Sequence, residues 1–302
     1  MKKFIKSILF FVFPALIYAV FALTIMPHLN YFQNGPSTEE QISKSFENAL
    51  KRKYELLILG NSRTYRGINP DMFEIKTYNF SHDNDSYNQI YYKLEYLVDH
   101  KKKIKYLLLG TDYFQFSFKA DTRNYIYADL LHDNYMKDYD ESKLFMQKMK
   151  YYVGKINPKK LFTYYPEKDR PFLRENGQFI KPGKATETDS ISRKIKRLNL
   201  QITYFEKTIN LCKAKQIKII MVMPPSRRVE IKAYKDKDLK EFNNFIQKHT
   251  DNKNILYLNY SNLNGFETKD YTDFTHLNEK AANRFSKILN KDLIQLIVEN
   301  KF

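Results

Sequence analysis

The chain holds one cysteine, Cys212, so neither an intrachain disulfide nor a cysteine-based zinc site can be built from it. Cys212 falls in an apolar helical stretch and reads as a packing residue, not a nucleophile. Glycine and proline are sparse, eight and ten among 302 residues, which excludes collagen-like and linker-dominated chains. No repeat with a period of about 20 to 50 residues is visible. Acidic residues are few beside basic ones, 34 against 51, giving a formal net charge of +17. A surplus of that sign suits nucleic acid, an anionic membrane surface or an acidic polymer. A lysine-rich proteome, in which lysine covers solvated faces, gives the same balance. Against these shortages stands a hydrophobic content of 43%, enough for a sizeable core and a single compact domain.

The N-terminus decides among the partners of a basic chain. Lys2, Lys3 and Lys6 precede Ile8 to Met26, a run of 19 residues without a formal charge, interrupted by Pro14. As helix this run is about one hydrocarbon thickness long, at roughly 1.5 Å per residue. A secretory signal has a shorter apolar core, though Val20-Phe21-Ala22 is a weak cleavage site and a cleaved signal stays open. The lysines on the N-terminal side place everything after Met26 outside the cytoplasm. The expectation is a single-pass protein of the cytoplasmic membrane with an extracytoplasmic domain. It removes nucleic acid as a partner and favours anionic lipid or an envelope polymer.

Ser37-Thr38-Glu39-Glu40 reads as a helix start leading to about Arg52, a linker between membrane and domain. Four apolar, partly β-branched runs follow as buried strands, Leu56 to Leu59, Ile104 to Leu109, Ile217 to Met223 and Ile255 to Leu258, with a weaker one at Lys76 to Phe80. Helical patterns separate them at Tyr87 to Val98, Ile191 to Lys215, Leu239 to His249 and Asn278 to Val298. This alternation predicts an α/β fold with a doubly wound parallel sheet of about five strands, whose ligands bind at the strands' carboxyl ends. Residues 113–189 break the alternation. They are rich in Tyr and Phe, with helical patches around Asn124 to Tyr152 and a loop from Asn157 to Gly183. They read as a mostly helical aromatic insertion, either packed on the sheet domain or forming a lid or substrate wall. The expected division is an anchor or signal at 1–27, a linker helix at 28–53 and a domain at 54–302 that carries the insertion.

The first strand ends in Gly60-Asn61-Ser62-Arg63, where a tight turn can present Ser62 for attack and the following helix start offers N–H groups to developing negative charge. Near the other end stands Asp273-Phe274-Thr275-His276, just before the last amphipathic helix. An Asp three residues before a His can hold the imidazole Nδ1–H and turn the other nitrogen toward a partner. Ser62, His276 and Asp273 thus form a candidate nucleophile, base and orienting group.

These two blocks make the chain resemble the SGNH (GDSL-type) hydrolase superfamily over roughly Tyr54 to Val298, with the insertion unmatched. The resemblance implies a flavodoxin-like sheet, acyl transfer or ester hydrolysis by Ser62, Asp273 and His276, and no cofactor or metal. The anchor and the strand ends Leu-Gly-Asn-Ser-Arg, Leu-Leu-Leu-Gly-Thr-Asp-Tyr-Phe and Met-Pro-Pro-Ser are most similar to the membrane-anchored envelope branch. That branch includes the D-alanine-transfer protein of teichoic-acid synthesis and the acetyltransferase partners of membrane-bound O-acyltransferases. It implies a cell-envelope polysaccharide or related polymer as substrate and a membrane-bound O-acyltransferase as partner. Two positions depart from the family pattern. Ser81 stands where a Gly N–H usually joins the oxyanion hole, a role its own backbone N–H can still serve beside that of Ser62, and Asp112 stands where an Asn amide usually completes it. An ionised Asp112 would repel an oxyanion; it either points away, is protonated, or leaves the hole to backbone donors.

Arg63, Arg66 and the Arg227-Arg228 pair are candidate substrate contacts, since Arg at a strand end suits bidentate binding of phosphate or carboxylate; loop-fixing salt bridges are the plain alternative. His82, amid Asp83 and Asp85, suggests a metal site or simply a helix-start loop. The rival to an enzyme is a non-catalytic scaffold or glycan-binding partner that keeps the fold. Ser81 and Asp112 favour it, and the intact Ser62, Asp273 and His276 oppose it.

Overall fold

The structure is a computed structural model that describes residues 1–26, 29, 35–119, 123–136, 141–162, 166, 170–186 and 194–299. The chain divides into two compact units, Met1–Pro36 with Thr122–Arg170, and Ser37–Asp121 with Pro171–Phe302.

The first unit begins with helix α1 (Lys2–Val20), continued by a π-helical turn at Phe21–Ile25. Lys3–Ile25 is long and apolar enough to cross a membrane, with a mean hydropathy of 2.6, and it buries almost none of its surface. Pro14 is accommodated inside the helix. Helices α5 (Asn124–Met136) and α6 (Glu141–Lys155) pack on each other, joined by a 3.0 Å ion pair between Lys148 and Asp129. Tyr125 and Tyr151 meet at 5.6 Å between ring centroids. α6 also packs against the Phe21–Ile25 turn. The expected insertion is therefore shared, since 122–170 cluster with the N-terminal helix while the described parts of 113–121 and 171–189 belong to the sheet unit. Residues 28 and 30–34 of the expected linker lie outside the described residues. So do 120–122, 137–140, 163–165, 167–169 and 187–189 of the insertion, and 191–193 of the helix expected at Ile191.

The second unit opens with α2 (Thr38–Lys51), capped by a reciprocal pair in which Ser37 accepts from the N–H of Glu40 and Glu40 accepts from that of Ser37. Five parallel strands follow: β1 (Leu56–Leu59), β2 (Thr77–Asn79), β3 (Tyr106–Gly110), β6 (Lys218–Met223) and β7 (Ile255–Asn259). Their spatial order is β2-β1-β3-β6-β7, the flavodoxin-like arrangement. The order reverses between β1 and β3, which pair in register from Leu56↔Tyr106 to Leu59↔Leu109. A crevice at the carboxyl ends of these two strands is where such a sheet binds ligand.

Both faces of the sheet are covered, which is why its strands read as unbroken apolar runs. Leu56, Ile58, Leu108, Ile220 and Val222 pack with Ala282, Phe285, Leu289 and Leu293 of α10 (Glu279–Val298). Leu57, Leu59, Leu107, Leu109, Ile219 and Met221 are equally buried on the alternate positions, on the side where α7 (Asn199–Ala214) packs against α4 (Tyr87–Asp99) and β6. Cys212 of α7 is fully buried and its thiol is pushed well above its usual range by that burial, as expected of a packing residue. α7 starts at Asn199; residues 194–198, expected to be helical, are irregular. α9 (Asp236–Gln247) completes the layer near β7, after the short α8 (Arg228–Lys232).

A small hairpin, β4 (Phe172–Leu173) with β5 (Phe179–Ile180), lies within the stretch expected to be a loop. Its turn presses on the end of β2, where the N–H of Asn79 donates to the carbonyl of Asn176 at 3.0 Å. Gly177 sits at φ +93, and a Cβ there would lie 1.9 Å from the Asn79 carbonyl oxygen. Only glycine fits this turn without displacing β2.

Candidate active site

Ser62 is placed by the turn that ends β1. Gly60 and Gly110 lie side by side where β1 and β3 finish, and a Cβ on Gly110 would come within 2.8 Å of the Thr64 side chain. Asn61 then caps α3 (Ser62–Gly67), its Oδ1 accepting from the N–H of Arg63 at 2.9 Å. Ser62 thereby occupies the first turn of a helix, where its N–H has no carbonyl acceptor within the helix.

His276 is placed from the opposite end of the chain. Its carbonyl accepts from the N–H of Thr272 at 2.8 Å, and Tyr271 bridges Leu277, so residues 271–277 form a closed loop before α10. Asn278 caps α10 by accepting from the N–H of Ala281. Inside the loop Asp273 Oδ1 accepts from the N–H groups of Thr275 and His276, at 3.0 and 3.1 Å. Both carboxylate oxygens lie 2.8 Å from His276 Nδ1, and His276 Nε2 lies 2.7 Å from Ser62 Oγ. A carboxylate only accepts hydrogen bonds, so Nδ1 carries the proton and Nε2 is left to accept from the Ser62 hydroxyl. Partial burial opposes the charge of Asp273. It is outweighed by the hydrogen bond and charge of His276 and by the N–H groups of Thr275 and His276, which hold the carboxyl well below the usual carboxylate range. The structure thus brings Ser62, His276 and Asp273 into one chain of hydrogen bonds at the carboxyl edge of the sheet.

These residues line a cleft of about 360 Å³ together with Asn61, Arg63, Asn84, Phe114, Glu230, Phe274 and Thr275. Phe114 and Phe274 give it apolar walls. Asn84, exposed and in the left-handed region at φ 59, brings a side-chain amide to the same cleft. Residue type was the only sequence signal for it, since asparagine tolerates this backbone conformation better than most residues.

The two residues proposed for the oxyanion hole are elsewhere. Ser81 is fully buried; its N–H donates to Asn79 Oδ1 at 3.1 Å and its hydroxyl lies 2.9 Å from that of Thr64. Its one N–H is therefore committed to the β2 end. Asp112 is also buried, with Oδ1 accepting from the N–H groups of Phe114 and Gln115 at 2.9 Å and Oδ2 accepting from Asn61 Nδ2 at 2.7 Å. It faces away from the cleft and fixes the loop after β3 to the turn that presents Ser62.

The arginines divide in the same way. Arg63 is buried and forms a 2.6 Å ion pair with buried Glu230, while its Nη2 donates to the Pro225 carbonyl at 2.9 Å and to Ser226 Oγ at 2.6 Å. It ties α3 to the loop after β6, and both of its Nη atoms are occupied by protein groups, Nε alone having no partner among the described residues. Arg66 grips Asp83 with Nε and Nη2, and its Nη1 stands 3.8 Å from Asp273 Oδ2, which makes it a support for the Asp273 loop. Arg227, only 2% exposed, donates from Nη2 to the Thr186 carbonyl at 2.7 Å and to Thr268 Oγ1 at 3.3 Å, while Nε and Nη1 have no partner among the described residues. It lies 5.7 Å from the Phe274 ring centroid and borders a second cleft of about 430 Å³ with Arg228, Ser261, Asn262 and Thr268.

His82 is buried with Ser45, Asp85 and Lys93. Lys93 Nζ lies 3.0 Å from His82 Nδ1 and 2.7 Å from Asp85, while His82 Nε2 lies 2.6 Å from Ser45 Oγ. An ammonium donates, so Nδ1 accepts and Nε2–H donates to Ser45, which fastens α2 to the sheet. Among the described residues no group of His, Cys, Asp and Glu is arranged to hold a metal ion.

A protein-family model matches residues 183–298, the segment that carries β6, β7, Asp273 and His276. No curated protein matches the chain. Among solved structures, a GDSL-like lipase from Bacteroides thetaiotaomicron is 14% identical, with 86% of this chain and 100% of that chain covered at a TM-score of 0.41. A proposed acylhydrolase from Bacteroides fragilis is 11% identical, with 88% of this chain and 100% of that one covered, also at 0.41.

Proposed function

We propose that the chain is a membrane-anchored, extracytoplasmic SGNH-type enzyme that makes or breaks an O-acyl ester on a cell-envelope glycan or related polymer. The observation that carries this reading is the bond from Ser62 Oγ to His276 Nε2 at 2.7 Å, with Asp273 on the other imidazole nitrogen. Ser62 attacks the acyl carbonyl as His276 takes its proton, and Asp273 holds the tautomer and stabilises the imidazolium. The N–H of Ser62 at the start of α3 and the Asn84 amide are the donors available to the tetrahedral oxyanion. His276 then returns the proton to the leaving group, and water or a sugar hydroxyl resolves the acyl-enzyme. Phe114 and Phe274 suit the apolar part of an acyl donor. Arg227, whose Nε and Nη1 have no partner among the described residues, is the candidate contact for an anionic group of the polymer. The lysines at the start of α1, Lys2, Lys3 and Lys6, support the extracytoplasmic placement. The envelope branch implies a membrane-bound O-acyltransferase as partner.

The inward commitment of Ser81 and Asp112 favours the second reading, a scaffold partner of such an acyltransferase that keeps the fold without turnover. One experiment separates the two. A fluorophosphonate probe is expected to label wild-type protein at Ser62, and Ser62→Ala is expected to lose the label and to lower ester turnover on the order of 10⁴-fold or more. A folded wild-type protein that neither takes up the probe nor hydrolyses an activated ester is the scaffold.

A further inference from the structure

Helix α6 carries an apolar face that nothing in the proposed chemistry uses. At about 100° per residue, Phe145, Met146, Met149, Tyr152 and Val153 fall within one arc of about 120°. All five side chains are exposed, Phe145 by 64% and Val153 by 63%. Leu144, on the opposite side, is buried. Lys143 and Lys150 flank the arc on one side and Lys155, with Lys148 in its ion pair to Asp129, on the other, and Glu141 at the helix start is the only acidic residue of α6. Phe162, 86% exposed, follows in the 3-10 turn Pro158–Phe162.

An apolar stripe bordered by lysines on both sides is the pattern of a helix lying in a membrane interface. There the stripe enters the acyl region, and the lysine stems run along apolar surface to set their ammonium groups among headgroups. The fold supplies the second observation. α6 packs against the Phe21–Ile25 turn, the C-terminal end of the segment long enough to cross a bilayer. Where Lys3–Ile25 spans, that turn emerges at the membrane surface and α6 is held there with it. We infer that the Phe145–Val153 face of α6 docks on the anionic lipid surface of the leaflet into which Phe21–Ile25 emerges. This rests on the reading of Lys3–Ile25 as a membrane span.

The test uses the full chain reconstituted in vesicles of phosphatidylethanolamine and phosphatidylglycerol, with an environment-sensitive label on Met149→Cys, on Phe13→Cys in the span, or on Lys237→Cys, an exposed position of the sheet unit. Cys212 is fully buried and stays unlabelled. With acyl chains brominated both near the headgroup and near the chain end, the labels at 149 and 13 are each expected to lose roughly half of their emission or more, that at 149 from a depth of about 5–10 Å and that at 13 from near the middle of the span, and the label at 237 to lose none. Replacing phosphatidylglycerol by phosphatidylcholine is expected to weaken quenching at 149 and leave it unchanged at 13. Quenching at 13 without quenching at 149 overturns the docking of α6 and leaves the span intact. Absence of quenching at both positions overturns the span and the docking with it. A label at 149 that resists both brominated lipid and aqueous iodide shows a protein partner or a second copy on this face, which also overturns the inference.

Discussion

Replacing Asp112 by Asn tests whether this carboxylate belongs to the chemistry or to the scaffold. In the structure Oδ1 accepts two backbone N–H groups and Oδ2 accepts Asn61 Nδ2, all in the interior. An Asn in the same pose keeps the Oδ1 bonds but sets its own NH₂ against the NH₂ of Asn61. If Asn61 flips to relieve the clash, its Oδ1 no longer caps the N–H of Arg63. Either way one hydrogen bond to a charged group is lost and a buried donor or cap is left unmet, a cost of about 2–4 kcal/mol. For a unit of this size that corresponds to a fall in Tm of roughly 6–12 °C. The turn that presents Ser62 loosens with it, so the rate of acyl-enzyme formation is expected to fall modestly and not to rise. The assay is stopped-flow acylation by an activated ester, wild type against Asp112→Asn, with thermal melting in parallel. A large gain in rate with no loss of stability would place Asp112 as an anion facing the oxyanion and refute this reasoning.

Three further variants test the same geometry. Asp273→Asn is expected to trap His276 in the wrong tautomer and cut acylation on the order of 10⁴-fold, the loss known for the corresponding change in a serine protease. Because its native carboxyl titrates below the unfolded one, Asp273 contributes stability that is fully present above about pH 4 and is lost as the pH falls further. The melting gap between wild type and Asp273→Asn should therefore close in acid, and a gap that widens there contradicts the assignment. Gly177→Ala forces a side chain into the Asn79 carbonyl at a left-handed φ, and is expected to cost at least about 2 kcal/mol, read by denaturant melts. Arg227→Met is expected to keep or raise Tm while abolishing the rise that inorganic phosphate gives the wild type; a strongly destabilised variant would make Arg227 a bracket for Thr186 and Thr268 instead.

The sheet was legible because its strands are buried on both faces, so that Leu56–Leu59 and Lys218–Met223 stand out as apolar runs without alternation. β2 was weaker because an edge strand of three residues carries little pattern. The β4–β5 hairpin was invisible, since its two-residue strands are held by a tertiary bond from Asn79 to Asn176 and by the turn at Gly177. The two blocks around Ser62 and His276 could be read locally, because each is ordered by its own neighbours: the Asn61 cap in one, the Asp273 turn in the other. The surroundings could not. Whether Arg63 meets substrate or protein depends on Glu230, 167 residues away, and whether Asp112 faces the cleft depends on the Asn61 amide.

The charges buried along the carboxyl edge of the sheet show a division of labour. Breaking a buried pair by removing one partner is strongly destabilising, because it strands a charge in a medium of low dielectric. Arg63 with Glu230 joins α3 to the loop after β6, and Lys93 with Asp85, through His82 and Ser45, joins α4 to α2. Lys93 is engaged by Asp85 and His82, and Arg63 holds Glu230, Pro225 and Ser226 through both of its Nη atoms, with Nε alone unpartnered among the described residues. Arg227 differs from them. It is as deeply buried, yet among the described residues it has no carboxylate within ion-pair distance, and two of its three nitrogens donate to nothing. A guanidinium kept in that condition at the border of the second cleft, beside Phe274 of the cleft that holds Ser62, is poorly explained as scaffold when a methionine would fill the space at lower electrostatic cost. An anionic group arriving with the substrate would supply the missing partner. On the proposed function, the unmet charge of Arg227 is the place where an anionic group of the substrate would bind, and the phosphate-dependent rise in Tm tests that assignment.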